Sequence, residues 1–194
     1  MALLFGLLTP LQVINDIVLR IGRGVGIVAV ALMVAAILLQ VFCRYVLNNA
    51  LPWPDEFARF CMLWMTGLVA PTAFRQGGFV AIDMLERAIN VRVAAILSLV
   101  LLIVSLSVLI VGAQLGYKHV NSGWLFSSSS LKIPLEWLGM KTVKIKLAWM
   151  YMSLFVGLIL LISVNIELIL RKLITMLGAG AALRPIPGLA VEVE

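Results

Sequence analysis

Four apolar stretches, at about residues 25–43, 57–74, 93–116 and 147–170, make up nearly half of this chain. Each is close to the ~20 residues that a helix needs to cross the hydrocarbon core of a bilayer. Backbone polar groups inside lipid must be satisfied within the segment, so runs of this kind are expected as helices. Only 12% of the residues are charged and the mean hydropathy is +1.12, whereas soluble domains carry about 25% charged residues. The expected fold class is therefore an all-α membrane protein with four transmembrane helices. With 194 residues there is no room for a separate soluble domain. The net charge of +6 does not point to nucleic acid, because no basic stripe with interleaved aromatics lies on a polar fold. Lysine and arginine flanking apolar spans follow from membrane topology alone.

The connections carry the remaining information. Residues 1–23 lack a basic start, the first positive charge being Arg20, so a cleaved signal peptide is not expected. Thr9, Gln12, Asp16, Arg20 and Arg23 recur every three or four residues, opposite Leu4, Leu7, Leu8, Leu11, Ile14, Val18 and Ile21. That period predicts an amphipathic helix lying in the interface over residues 1–23, with a four-span domain over 24–172 and a flexible tail over 173–194. The alternative for the first segment is an extended first membrane helix. A second interfacial helix is expected after Gly78, with Asp83, Glu86, Arg87 and Asn90 as its polar face. The longest connection, about Tyr117 to Lys146, holds five lysines, the run Ser127–Ser130 and the aromatics Tyr117, Trp124, Phe126 and Trp137. Its basic and aromatic character suits either a docking surface or packing on the lipid surface. An even number of spans puts both termini on one side. With that side inside, eight basic residues face the cytoplasm and seven face outward. Several outer lysines lie far from a span end, so the balance favours cytoplasmic termini.

Ionisable groups cluster at one hairpin. Arg44 closes the first span, and Asp55 and Glu56 precede Arg59 by four and three residues. Pro54 with Asp55 and Glu56 reads as a helix start. These four charges are expected as a structural cluster that keeps spans one and two in register; the competing reading, an ion or proton relay, would place its carboxylates deeper. The interior is otherwise nearly free of ionisable groups, its scattered polar residues being neutral, and it offers no good candidate for a charged midplane site of the transporter kind. Gly67 and Pro71 are candidates for a kink. Glu167 is spaced to pair with Arg171 at i+4. Gly22, Gly24 and Gly26 imitate a nucleotide-binding pattern without the preceding strand, so they read as sites of close helix contact or a bend. His119 is the single histidine, which disfavours a bis-histidine haem anchor. Cys43 and Cys61 suit small buried hydrophobes, although their spacing leaves a disulfide open. No catalytic residues, metal ligands or cofactor site are expected.

The ordered set Arg44-Tyr45-Val46, Asn48, Leu51-Pro52-Trp53, Glu56, Arg59, Trp64, Gly67, Arg75-Gln76-Gly77-Gly78 and Ile82-Asp83 resembles the small membrane subunit of tripartite ATP-independent periplasmic (TRAP) transporters, the DctQ-like family. The likeness is sharpest over residues 44–83, and the four-span plan extends it to about residue 172. Phe79 stands where the family often has histidine, and the third connection is richer in lysine than the family pattern.

The resemblance implies a scaffold and not an enzyme. Such a subunit would brace a separate large multi-span subunit in the bacterial inner membrane, where an ion gradient, usually sodium, drives uptake of an organic acid delivered by a periplasmic substrate-binding protein. It further implies a role for the loop motif of Arg75, Gly77, Gly78 and Asp83. Lys132, Lys141, Lys144 and Lys146 are the candidate docking residues for an acidic face of the binding protein. The rival readings are a membrane anchor for a redox enzyme and an autonomous oligomeric transporter.

Overall fold

A computed structural model describes residues 2–77, 91–133, 143–180 and 183–187. Four helices dominate them: α1 (Ala2–Tyr45), α2 (Pro54–Arg75), α3 (Val91–Gly123) and α4 (Ala148–Met176). All four are long and apolar enough to cross a membrane. Between α3 and α4, β1 (Ser127–Ile133) and β2 (Val143–Lys146) pair antiparallel as a short ribbon. The second interfacial helix expected after Gly78, together with Gly78, Asp83, Lys141 and the last seven residues, lies outside the described residues.

The helices form a row and not a closed bundle. α3 packs on α4, α4 packs on α2, and α2 packs on α1, which also touches α4. Most large apolar side chains on the outer faces of α1 and α3, such as Ile27, Leu38, Val104 and Val108, are exposed, as suits lipid-facing surfaces.

α1 departs from the expected break near residue 23. It is one helix of 44 residues, about 66 Å long and roughly twice the thickness of a hydrocarbon core. Its buried positions explain the continuity. Leu8, Gln12, Asn15, Leu19, Gly22, Gly26, Ala29, Ala36 and Cys43 are all buried, and they follow one 4-3 spacing along the helix. A single seam of period 3.5 therefore runs through both segments, the pattern that keeps one face turned to a partner helix. Because the seam holds both polar and apolar residues, it crosses the polar-versus-apolar division read from the sequence. From Gly22 onward the seam is built of small residues, which lets the backbones approach without a hydrophobic driving force. A Cβ on Gly22 would sit 3.1 Å from the Leu68 carbonyl, and one on Gly26 2.5 Å from Val69. Gly24, by contrast, faces open space.

α2 begins as expected, with Pro54 in its first turn beside Asp55 and Glu56. It ends where Gly77 adopts φ +85°, a left-handed conformation that glycine takes without steric cost and that closes a helix. Pro71 does not interrupt it. Proline supplies no N–H to the residue four positions earlier, here Gly67. At that residue α2 crosses α4: a Cβ on Gly157 would lie 2.8 Å from the Gly67 Cα and 2.8 Å from its carbonyl oxygen. Ser153 and Gly157 form the small-residue pair on the α4 side of the crossing.

α3 and α4 run past the expected span limits. α4 continues beyond residue 172 because its packing does: Ile174 is fully buried. It stops at Gly178 (φ +85°), where Ala179 N–H reaches the Ile174 carbonyl and Gly178 N–H the Thr175 carbonyl, each at 3.1 Å, a Schellman ending. Cys43 and Cys61 are both buried free thiols.

Candidate functional site

Charge that was spread over three segments of the sequence meets at one membrane boundary. Glu167 on α4 has 0% exposure and is the hub. Its Oε1 accepts from Arg75 Nη2 (2.7 Å), Arg75 Nε (3.2 Å) and Arg171 Nε (3.0 Å), and its Oε2 accepts from Asn15 Nδ2 (2.7 Å). Arg75 Nη1 donates in turn to Asp16, and Ser163 Oγ donates to Asn15 Oδ1 (2.7 Å). The network thus ties α1, α2 and α4 together. Its two carboxylates and two guanidiniums cancel formally, which is the condition for burying such groups at tolerable cost.

Each member is positioned by local structure. Arg75 is the last residue of α2, and the left-handed turn at Gly77 ends the helix just behind it. Asn15 belongs to the α1 seam and Asp16 flanks it. Glu167 and Arg171 lie one turn apart on α4, the i+4 pair expected from the sequence. The Arg171 Nη1 group also donates to the Arg184 carbonyl (2.8 Å), and Gln76 Nε2 donates to the Pro187 carbonyl (3.2 Å). Both bonds fold the segment after α4 back over the network.

The hairpin cluster expected from Arg44, Asp55, Glu56 and Arg59 has a different arrangement. Among the described residues the ion pairs are Arg75–Asp16, Arg75–Glu167 and Arg171–Glu167, and none joins these four. Arg44 lies over the Tyr45 ring at 5.8 Å, and Arg44, Asp55 and Arg59 are exposed. Glu56 instead reaches the ribbon. Its Oε1 accepts from Ser128 Oγ (2.5 Å), and its Oε2 accepts from Ser130 N–H (3.0 Å) and from Ser130 Oγ. The cradle coincides with an irregular stretch of the strand, where the register shifts between Ser127 and Lys132. Three donors meeting one carboxylate at fixed positions outcompete a flexible, water-exposed arginine, since exposed ion pairs contribute only ~0–1 kcal/mol.

A prediction follows from that cradle. Glu56→Ala should release the ribbon while leaving the helices paired. Bonds to a charged acceptor contribute about 1.5–3 kcal/mol each, so hydrogen exchange over residues 127–133 should accelerate at least about tenfold. Exchange at the wild-type rate would mean that the carboxylate does not hold the ribbon.

The candidate docking lysines divide among different environments. The register sets Lys132 opposite Lys144 on the ribbon. Lys144 is exposed. Lys146 Nζ donates to the Trp124 carbonyl (3.0 Å), so it also closes the start of the ribbon. In the loop motif, Arg75 and Gly77 have the roles just described. Sequence reasoning missed Asp16 and Arg75 as partners. The available signal was charge on each of three helices near the same boundary, where an unpaired charge is costly.

Comparison with known proteins adds two findings. Residues 33–175 match the family described as tripartite ATP-independent periplasmic transporters, DctQ component. The chain is also 24% identical over 175 residues to the sialic acid TRAP transporter small permease protein SiaQ of Vibrio cholerae serotype O1, covering 89% of this chain and 92% of that relative.

Proposed function

Since the chain belongs to the DctQ component family of tripartite ATP-independent periplasmic transporters, a family of transporter components and not of enzymes, we propose that it braces a large ion-coupled membrane subunit and helps a periplasmic binding protein to dock. The family match carries this reading. It is supported by where the charges lie: residues 24–43, 60–74, 93–117 and 149–166 contain no Asp, Glu, Lys or Arg. A protein that carried a charged substrate or a coupling ion through its own midplane would hold polar or ionised groups there. The charged residues lie outside these runs, and the buried ones fasten helix to helix. The chain is a scaffold, and translocation belongs to its large partner in an ion-driven cycle.

In this reading the protein lies in the bacterial inner membrane with both termini in the cytoplasm. Arg20, Arg23, Arg75, Arg171, Lys172 and Arg184 then face inward at the network end, in keeping with the preference for cytoplasmic arginine and lysine. The Glu56 cradle and the ribbon face the periplasm. Lys132, Lys141, Lys144 and Lys146 offer positive charge to an acidic face of the binding protein, where complementary potentials speed encounter. Arg44 and Arg59 are exposed at the same end and add to that field. The cargo class is an organic acid delivered by the binding protein. Sialic acid is the first to test, because the similar protein's name includes it.

The decisive experiment is purification of the tagged chain from native membranes, followed by reconstitution. A large multi-span subunit is expected in stoichiometric amount, and sodium-driven uptake of labelled organic acid should need that subunit, this chain and the binding protein. Uptake by liposomes containing this chain alone would overturn the scaffold reading. Recovery with a haem or flavin enzyme would overturn the family role. In the reconstituted system, Lys132→Glu combined with Lys144→Glu should raise the binding-protein concentration for half-maximal uptake roughly tenfold at low salt, with a smaller effect at high salt. An unchanged concentration would remove the lysines from docking.

A further inference from the structure

Beside the buried network, a cavity of about 200 Å³ lies between α1 and the last turn of α2. Asp16, Arg20 and Arg23 line it from α1, and Thr72, Arg75 and Gln76 from α2; Pro187 closes one side. These α1 positions share a face by their spacing of three and four residues.

Three features of the cavity select a ligand chemistry. The first is positive charge that no carboxylate among the described residues offsets. Asp16 is already taken by Arg75, whereas Arg20 and Arg23 enter none of the ion pairs among the described residues. Two full positive charges outweigh the roughly half negative charge of the α2 C-terminus. The second is an unused donor. Thr72 is only 6% exposed, and its Oγ1 has no hydrogen-bond partner. A buried hydroxyl without a partner costs free energy that a ligand oxygen would recover. The third is depth. The arginines sit just before the apolar run that begins at Val25, and Ile27, Val30 and Val34, which continue their spacing of three and four residues along the same face of α1, are exposed.

We propose that this cavity binds a phosphate-bearing anion, and that the anion is the headgroup of an acidic phospholipid. Arg20 and Arg23 hold the phosphate oxygens and Thr72 Oγ1 donates a further hydrogen bond. The acyl chains lie along Ile27, Val30 and Val34. A free phosphate would use the same donors but would gain nothing from that apolar track. Binding here would stiffen the junction of α1 and α2 next to the Arg75–Glu167 lock, and so make the packing of the subunit responsive to its lipids.

The test uses the full-length chain, purified with whatever membrane subunit accompanies it and stripped of lipid in detergent. Phosphatidylglycerol, phosphatidylcholine and inorganic phosphate are added separately, with binding read by native mass spectrometry and by thermal shift. Phosphatidylglycerol should bind and raise the melting temperature, and phosphatidylcholine should do so far less. Arg20→Gln with Arg23→Gln should weaken phosphatidylglycerol binding about thirtyfold. Thr72→Val should weaken it severalfold, and Arg20→Lys with Arg23→Lys should restore most of the affinity lost in the glutamine pair. Equal binding of phosphatidylglycerol by the glutamine pair and the wild type would overturn the site. Inorganic phosphate giving the full shift, with no further gain from lipid, would overturn the lipid as its source.

Discussion

Glu167→Ala should be the most damaging single substitution of a charged residue in this protein. The carboxylate accepts four hydrogen bonds from three side chains, and nothing of it reaches solvent. Its removal leaves Arg75, itself only 5% exposed, with Asp16 as its remaining acceptor, and strips Arg171 of its ion pair. Breaking a buried pair by deleting one partner costs about 3–5 kcal/mol, mainly because the surviving charge stays buried. The expected result is a sharp fall in the amount of chain recovered from membranes and a melting temperature lowered by many degrees in detergent. Glu167→Gln keeps the shape and the bond from Asn15, so it should fall between alanine and wild type. The informative comparison is the double variant Arg75→Met with Glu167→Leu. If the network acts by mutual compensation, removing both charges together should recover much of the stability lost in Glu167→Ala. A wild-type melting temperature for Glu167→Ala would show that the network is not what joins α1, α2 and α4.

The limits of the sequence reading follow from what that network is made of. The four helices were legible because each apolar run is close to one bilayer thickness, and the start of α2 was legible because Pro54, Asp55 and Glu56 mark a first turn. The Glu167–Arg171 pair could be read because i+4 partners lie within one segment. Asp16 and Arg75 could not be paired in the same way, since 59 residues separate them and only tertiary packing sets their depths equal. α1 was divided in two because polarity changes near residue 23, whereas packing follows the 4-3 seam regardless of polarity: Gln12 and Asn15 occupy the same stripe as Gly22 and Gly26. The ribbon was hidden for another reason. Ser127–Ser130 offers no alternation of apolar and polar side chains, so its strand carries no period-2 signal. Its shape comes from the antiparallel partner and from Glu56. The hairpin charges were grouped by nearness in sequence, while the acceptor that mattered was claimed by a strand some 70 residues away.

Gly157→Leu is expected to separate α2 from α4 even though it touches no charge. At their crossing the two backbones are in contact: a Cβ on Gly67 would clash with the Ser153 carbonyl oxygen, and one on Gly157 would meet Gly67 Cα at 2.8 Å. Backbone atoms cannot turn aside as a flexible side chain can, so even one added carbon must push the helices apart. Overpacking of this kind costs about 1–3 kcal/mol and sometimes more, and here the displacement is transmitted along a stiff helix. The crossing lies between Glu56 and Arg75, about 16 Å from one and 12 Å from the other along α2. A tilt or shift at Gly67 therefore strains the Glu56 cradle and the Glu167 lock together. Gly157→Ala should already lower the melting temperature, and Gly157→Leu should abolish recovery of folded chain and, with it, assembly with a large subunit. Gly24→Ala is the control, since a Cβ there meets nothing within 4 Å and alanine is the better helix former. Equal stability of Gly24→Ala and Gly157→Leu would mean that helix approach at the glycines does not set the α2–α4 packing. Loss confined to the Gly157 and Gly67 variants would place the mechanical centre of the scaffold at that crossing, with the two polar locks fixing its ends at opposite faces of the membrane.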